Sequence, residues 1–243
     1  MMVVIITLML SIIISQEARL SVEGVDERGR VEARSGAMRI SRKQAAENRE
    51  RVVASAARLF RAKGFDGVGV ADLMRAAGLT HGGFYNHFDS KDELSAAACE
   101  HALRQAVEAI EVIGGLDPAH GEASFRQYRR RYLSRRSRDA EAFVCPMVAF
   151  GADAPRQSET VREKYAVGLR RYLDSFARAL GAERKGAGEA ADLRRQAIAQ
   201  FAAMVGAVVL ARGVGKADVT LSDEILSATL GILERAGETA NEA

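Results

Sequence analysis

The chain has 243 residues, 48% of them hydrophobic and 28% charged, enough apolar material for one or two globular domains and too much for a disordered polymer. Three prolines, 6% aromatics and long Ala/Arg/Glu/Leu-rich stretches between glycines, with no alternating β-branched run, point to an all-α protein. A formal charge of +3 is too small to identify a nucleic-acid partner, and the two cysteines, Cys99 and Cys145, lack the spacing of a disulfide framework or a metal site. The cysteine usage is that of a reducing, cytoplasmic compartment, and no cofactor or metal is expected.

The first fifteen residues, MMVVIITLMLSIIIS, are apolar but shorter than the roughly 20 residues of an ordinary membrane span, and they lack a basic n-region and a small-x-small cleavage site. A membrane-associating tail, an atypical signal and translated sequence upstream of the true start all fit. We favour the third, because Met38 opens MRISRKQAAENRERVV, a basic entry into the first strong helix. Residues 1–37 are therefore expected to form an extension outside the fold.

From Arg39 to Lys63 eight basic residues face two acidic ones, so the rest of the chain is net acidic. Between Arg42 and Lys63, Val52, Ala56, Leu59 and Phe60 make the apolar stripe of an amphipathic helix ended by Gly64. GFDGVG reads as a turn, and Val70 to Ala77 as a short second helix with Val70, Leu73 and Ala77 inward. Gly78 breaks it, Leu79 plugs the turn, and Thr80 is placed to cap a third helix. Ser90 and Glu93 then have the spacing of a capping box at the start of SKDELSAAACEHALRQAVEAI.

A short helix, a glycine-containing turn and a second short helix form the arrangement of a helix-turn-helix, whose second helix offers its N-terminal residues to base edges in the major groove. Two adjacent glycines, Gly82 and Gly83, cost stability in a helix interior. They suit a first turn whose backbone N–H groups approach phosphate. Phe84 and Phe88, four residues apart, point inward together, leaving His81, Tyr85 and Asn86 outward.

The segment LMRAAGLTHGGFYNHFDSKDEL, preceded by AARLFRAKGFDGVGVADL, resembles the DNA-binding domain of the TetR family of bacterial transcriptional regulators, from about Glu47 to Ala106. Gly69 stands where that family usually has a Ser or Thr cap. The resemblance implies phosphate contacts from Tyr85, His87 and Lys91, a capping and backbone role for Thr80, and closest approach to the bases by His81, Gly82, Gly83 and Asn86. It also implies a DNA-binding domain over 41–106, with the motif at about 69–88, and an effector-binding and dimerisation domain over 107–238. The function implied is that of a sequence-specific regulator, a repressor released from a palindromic operator by a small-molecule or electrophile effector.

Beyond Gly115 further helices are expected at about 122–138, 142–151, 157–180, 190–212 and 222–236. The stretch around Cys145-Pro146 resembles a Cys-Pro subgroup of the same regulators. Cys145 reads either as a sensor thiol, if Arg135, Arg136 or Arg138 fold towards it, or as a small buried hydrophobe, the commoner case. Phe125, Tyr128 and Tyr132 recur at helical spacing and could line a pocket with Phe143, Met147 and Phe150, although such stripes are more often plain core. RQYRRRYLSRRSR reads as a solvated charged face. In the last two helices, Ile198, Phe201, Val205, Val208 and Val209 with Leu226, Leu230 and Leu233 offer a self-complementary homodimer face. Two other readings carry less: an enzyme using Cys145 with His101 or His120 as base, and a membrane-tethered protein resting on residues 3–14.

Overall fold

In the computed structural model of the protein, the residues described are 42–113, 121–140, 145–181 and 186–239, and every regular element among them is helical. Helix α1 (Arg42–Lys63) buries Asn48, Val52, Val53, Ala56, Ala57 and Phe60, the inward stripe of its sequence. It stops where Gly64 turns to a φ of 75°, with the Gly64 N–H donating to the Phe60 carbonyl at 2.8 Å. A left-handed residue at this position closes a helix at no steric cost only when it is glycine.

Helix α2 (Val70–Ala76) starts at Gly69, whose extended backbone can supply no side-chain cap. It buries Leu73 and Met74, and ends at Ala77 and the positive-φ Gly78, after which the Leu79 N–H donates back to the Met74 carbonyl at 2.9 Å. One short helix with 3-10 geometry follows, His81–Asn86. Helix α3 (Lys91–Glu108) then runs on through a π turn at Ala109–Ile113.

At the head of α3 the Ser90 hydroxyl accepts from the Glu93 N–H at 3.1 Å. The return bond of the expected capping box is shifted by one residue, because the Glu93 carboxylate takes the Asp89 N–H at 2.8 Å and the Arg49 guanidinium at 3.0 Å. These contacts hold Glu93 below the usual carboxylate range, the Asp89 bond first among them. Arg49 also lies over the Phe88 ring at 4.6 Å, so one α1 side chain clamps both ends of the Phe88–Glu93 corner.

The larger part comprises α4 (Gly121–Tyr132), α5 (Arg135–Asp139), α6 (Pro146–Phe150), a 3-10 turn at Ala154–Arg156, α7 (Glu159–Ala179), α8 (Ala187–Val214) and α9 (Val219–Thr239). Helix α3 packs on α1, α6 and α7, while α8 lies between α7 and α9. The core is continuous across this junction. Phe60 meets Phe65 at 5.1 Å and Phe65 meets Phe150 at 4.7 Å, joining α1 to α6 through tilted aromatic contacts.

Two sequence expectations are corrected here. The single helix expected over 122–138 breaks after Tyr132, because the Ser134 hydroxyl accepts from the Ser137 N–H at 3.2 Å and starts α5. The basic run is not a wholly solvated face either: Arg129 is fully buried beside the Phe125 ring, and Arg138 is buried between Ser222 and Asp223. Arg130 pairs with Glu234 at 2.6 Å and Arg135 with Asp223 at 2.5 Å, so this run ties α4 and α5 to α9. Pro146 does start its helix, at the first position; residues 141–144, expected to precede it as helix, lie outside the described residues.

Candidate nucleic-acid interface

Gly78 and Leu79 turn the chain so that the segment after Thr80 packs against α2. Phe84 and Phe88 are buried and stacked at 5.7 Å, in the same core as Leu73 and Met74 of α2. With those rings inward, the opposite side carries Thr80, His81, Gly82, Tyr85 and Asn86 exposed, and Gly83, His87 and Lys91 half-buried. Tyr85 is 74% exposed and rests edge-on against Phe84.

Thr80 occupies the cap position with an extended backbone, but its hydroxyl makes no cap hydrogen bond, contrary to the capping expected from the sequence. The reason is the tighter 3-10 winding, in which the Thr80 carbonyl takes the Gly83 N–H at 3.1 Å. The hydroxyl is left over. A Cβ on Gly83 would come within 3.6 Å of it, ordinary contact, while a Cβ on Gly82 would meet nothing. Neither glycine has a positive φ. The fold itself therefore gives no reason for glycine at 82.

The polar groups on this face share a second property. The side chains of Thr80, His81, Tyr85, Asn86, His87 and Lys91 make no hydrogen bond or ion pair among the described residues. Their neighbours are engaged: Arg75 pairs with Asp72 at 3.1 Å, and Glu93 is held as above. The face carries unpaired hydroxyls, an amide, two imidazoles and an ammonium around the exposed Gly82, on the second helical segment of a helix-turn-helix arrangement.

The sensor candidates lie elsewhere. Tyr128 and Tyr132 on α4 are buried, with the Tyr128 hydroxyl 2.5 Å from that of Tyr172 on α7, and Met147 and Phe150 on α6 are core residues. Phe143 lies outside the described residues. Burial pushes the Cys145 thiol up; Tyr132, the Met147 and Val148 N–H groups and the Arg61 guanidinium pull less strongly the other way. Arg61 was not among the arginines expected to fold towards Cys145. Those are occupied on α9 and Asp139, in the case of Arg135 and Arg138. The sequence gives no sign of Arg61, because it comes from α1, more than eighty positions away.

The Tyr132 hydroxyl is buried without a formed hydrogen bond, and its burial, then the nearby Cys145, pushes its pKa up. His101, a candidate base, faces Glu50 at 3.2 Å, and burial holds its pKa down despite that carboxylate. His120 lies outside the described residues, as do residues 3–14. Among the described residues no group of three His, Cys, Asp or Glu side chains could hold a metal ion.

This part of the chain is thus an all-α helix-turn-helix unit. Residues 52–98 match the family described as bacterial regulatory proteins, tetR family. An uncharacterized HTH-type transcriptional regulator of Bacillus subtilis (strain 168), YerO, is 33% identical over 67 residues, which cover 28% of this chain and only 23% of that relative. Over the whole fold, a TetR transcriptional regulator from Chloroflexus aurantiacus superposes with a TM-score of 0.59 at 27% identity, covering 79% of this chain and 95% of that one. The reduced form of E. coli NemR superposes with a TM-score of 0.62 at 22% identity, covering 78% and 97%. Residues 52–98 thus carry a TetR-type DNA-binding segment, in a chain whose fold is similar to that of TetR-family regulators.

Proposed function

We propose that the protein is a homodimeric, sequence-specific transcriptional repressor that leaves a palindromic operator when a small molecule occupies its larger helical part. The observation that carries this reading is the unpartnered polar face on the His81–Asn86 segment, with open space above Gly82. Tyr85, His87 and Lys91 take phosphate oxygens there, and Thr80 adds its free hydroxyl. His81, Gly82, Gly83 and Asn86 come closest to the base edges, and Asn86 is the candidate for direct readout.

In this reading residues 41–106 form the DNA-binding domain and 107–238 the effector-binding and dimerisation domain, acting in the cytoplasm where the DNA is. Ile198, Val209, Leu210, Val219, Leu221 and Ile232 on α8 and α9 remain exposed on the single chain, and supply the apolar surface of a two-fold interface. Helix α8 is long and apolar enough to cross a membrane by length and composition, with a third of that window buried; a partner subunit covers the remainder in this reading. A small-molecule effector fits better than an electrophile, because burial disfavours the reactive Cys145 thiolate.

The test is a gel-shift titration of protein started at Met38 on DNA from its own upstream region, at several salt concentrations and with unrelated DNA as competitor. Selective binding that weakens steeply with salt is expected. Equal, weak binding to every DNA, including fragments selected genome-wide, would refute it.

A further inference from the structure

We infer that the cleft between the end of α1 and the junction of α8 with α9 binds a small polyanion of the phosphate-ester class. The cleft has a volume of ≈ 530 Å³ and is walled by Lys63, Arg138, Asp139, Arg212, Gly215 and Lys216. That size is within the range of small-molecule sites and well beyond a single ion. Four cationic side chains therefore face one carboxylate.

Two of the four cations have a structural task. Arg138 chelates Asp139 through two bonds, at 2.7 and 3.0 Å, and is tied to Ser222 and Asp223. Arg212 donates to the carbonyls of Arg138 and Ala140, closing the end of α5. A Cβ on Gly215 would be in ordinary contact with the Arg138 Cδ at 3.7 Å, but would come within 3.0 Å of the Ala211 carbonyl. The one carboxylate is neutralised by this arrangement.

Lys63 and Lys216 remain. Both are exposed, and neither makes an ion pair or hydrogen bond among the described residues. Each stands near a helix C-terminus, where one ammonium is worth less than about 1 kcal/mol to its own helix. Helix dipoles give no reason for two such groups, from α1 and from the turn after α8, to share one cleft over an already neutralised carboxylate. An anion with charge on more than one oxygen, such as a phosphate ester, meets both ammoniums at once, beside the Arg212 guanidinium.

The walls also decide what such a ligand does. Lys63 is the last residue of the helix that carries the helix-turn-helix core, whereas Lys216 belongs to the larger helical part. A bound polyanion fixes their separation, and it alters DNA affinity if the DNA-bound form sets that separation differently. This coupling rests on the regulator reading; the binding itself does not.

Inorganic pyrophosphate is the probe, titrated by calorimetry into the whole protein at constant ionic strength made up with sodium chloride. Saturable binding is expected, weakened about tenfold or more in the double variant Lys63→Gln, Lys216→Gln and unchanged in Arg170→Gln, an exposed arginine remote from the cleft residues in sequence. Because both lysines are exposed and unpaired, the double variant is expected to melt as the parent does in chloride alone. Equal heats in all three proteins, or none beyond chloride, overturn the site. In gel shifts pyrophosphate is expected to move the operator Kd of the parent and not of the double variant; no movement in the parent overturns the coupling and leaves the site. A double variant with a flatter salt dependence on DNA, together with a parent that ignores pyrophosphate, would assign the lysines to DNA phosphates and overturn the proposal.

Discussion

Gly82 illustrates how a residue can be unexplained by its own fold. An alanine there meets nothing within 4 Å, and it lowers the backbone entropy lost on folding. Gly82→Ala is therefore expected to leave thermal stability unchanged or raise it by up to about 1 kcal/mol, while weakening operator binding. Melting curves and gel shifts on the same sample separate the two effects. Tyr85→Ala and Lys91→Ala are expected to weaken binding similarly on all sequences, by a factor that shrinks in high salt, whereas Asn86→Ala alters which operators are preferred. An equal loss on every operator for Asn86→Ala would remove it from readout. His101 provides a pH signature of a different kind. Burial depresses its folded pKa below the 6.5 of the free side chain, partly offset by Glu50 and reinforced by Arg104. The unfolded chain takes up that proton first, so this contribution to stability is complete above pH 6.5 and is lost as the pH falls below it. The fall in melting temperature from about pH 7.5 to about pH 5.5 is expected to be smaller in His101→Gln than in the parent.

At the scale of elements, the joint between α3 and α7 is set by a glycine. A Cβ on Gly168 would stand 2.6 Å from two carbons of Leu103, so the helices approach more closely there than any other residue allows. Gly168→Ala is expected to cost about 1–3 kcal/mol through overpacking, and Leu103→Ala in the same chain to return part of it. Chemical denaturation of the two single variants and the double variant gives the coupling directly. The corner before α3 works by hydrogen bonds instead. Ser90→Ala removes the acceptor for the Glu93 N–H and is expected to cost about 1 kcal/mol.

For the whole molecule the open question is what covers α8 and α9. Of the apolar residues that the sequence offered for a dimer face, Phe201, Val208, Leu226 and Leu233 are used inside the chain itself. Ile198 and Val209 stay exposed, joined by Leu210, Val219, Leu221 and Ile232. Since Leu210 and Ile232 are 62% and 59% exposed, Leu210→Asp and Ile232→Asp are expected to spare the fold of the subunit. Each is expected to weaken dimerisation roughly tenfold or more, read by light scattering on a dilution series. A parent that is monomeric throughout that series would contradict the two-fold reading.

Local patterns in the sequence were enough to determine α1, α2 and α3 and the glycines that end α1 and α2, because capping, periodicity and left-handed turns act within a few residues of each other. The same holds for the inward pair Phe84 and Phe88 and for the exposed polar residues between and beside them. The break at Ser134 is equally local, a cap whose hydroxyl accepts from the N–H three residues on, whereas tertiary structure alone decided the burial of Arg129 and Arg138. It also decided that Lys63 and Lys216 share a cleft. A helical face can be read from its spacing, but which of several faces is covered, and which charge finds a partner, depends on segments eighty or more residues away that only packing brings together.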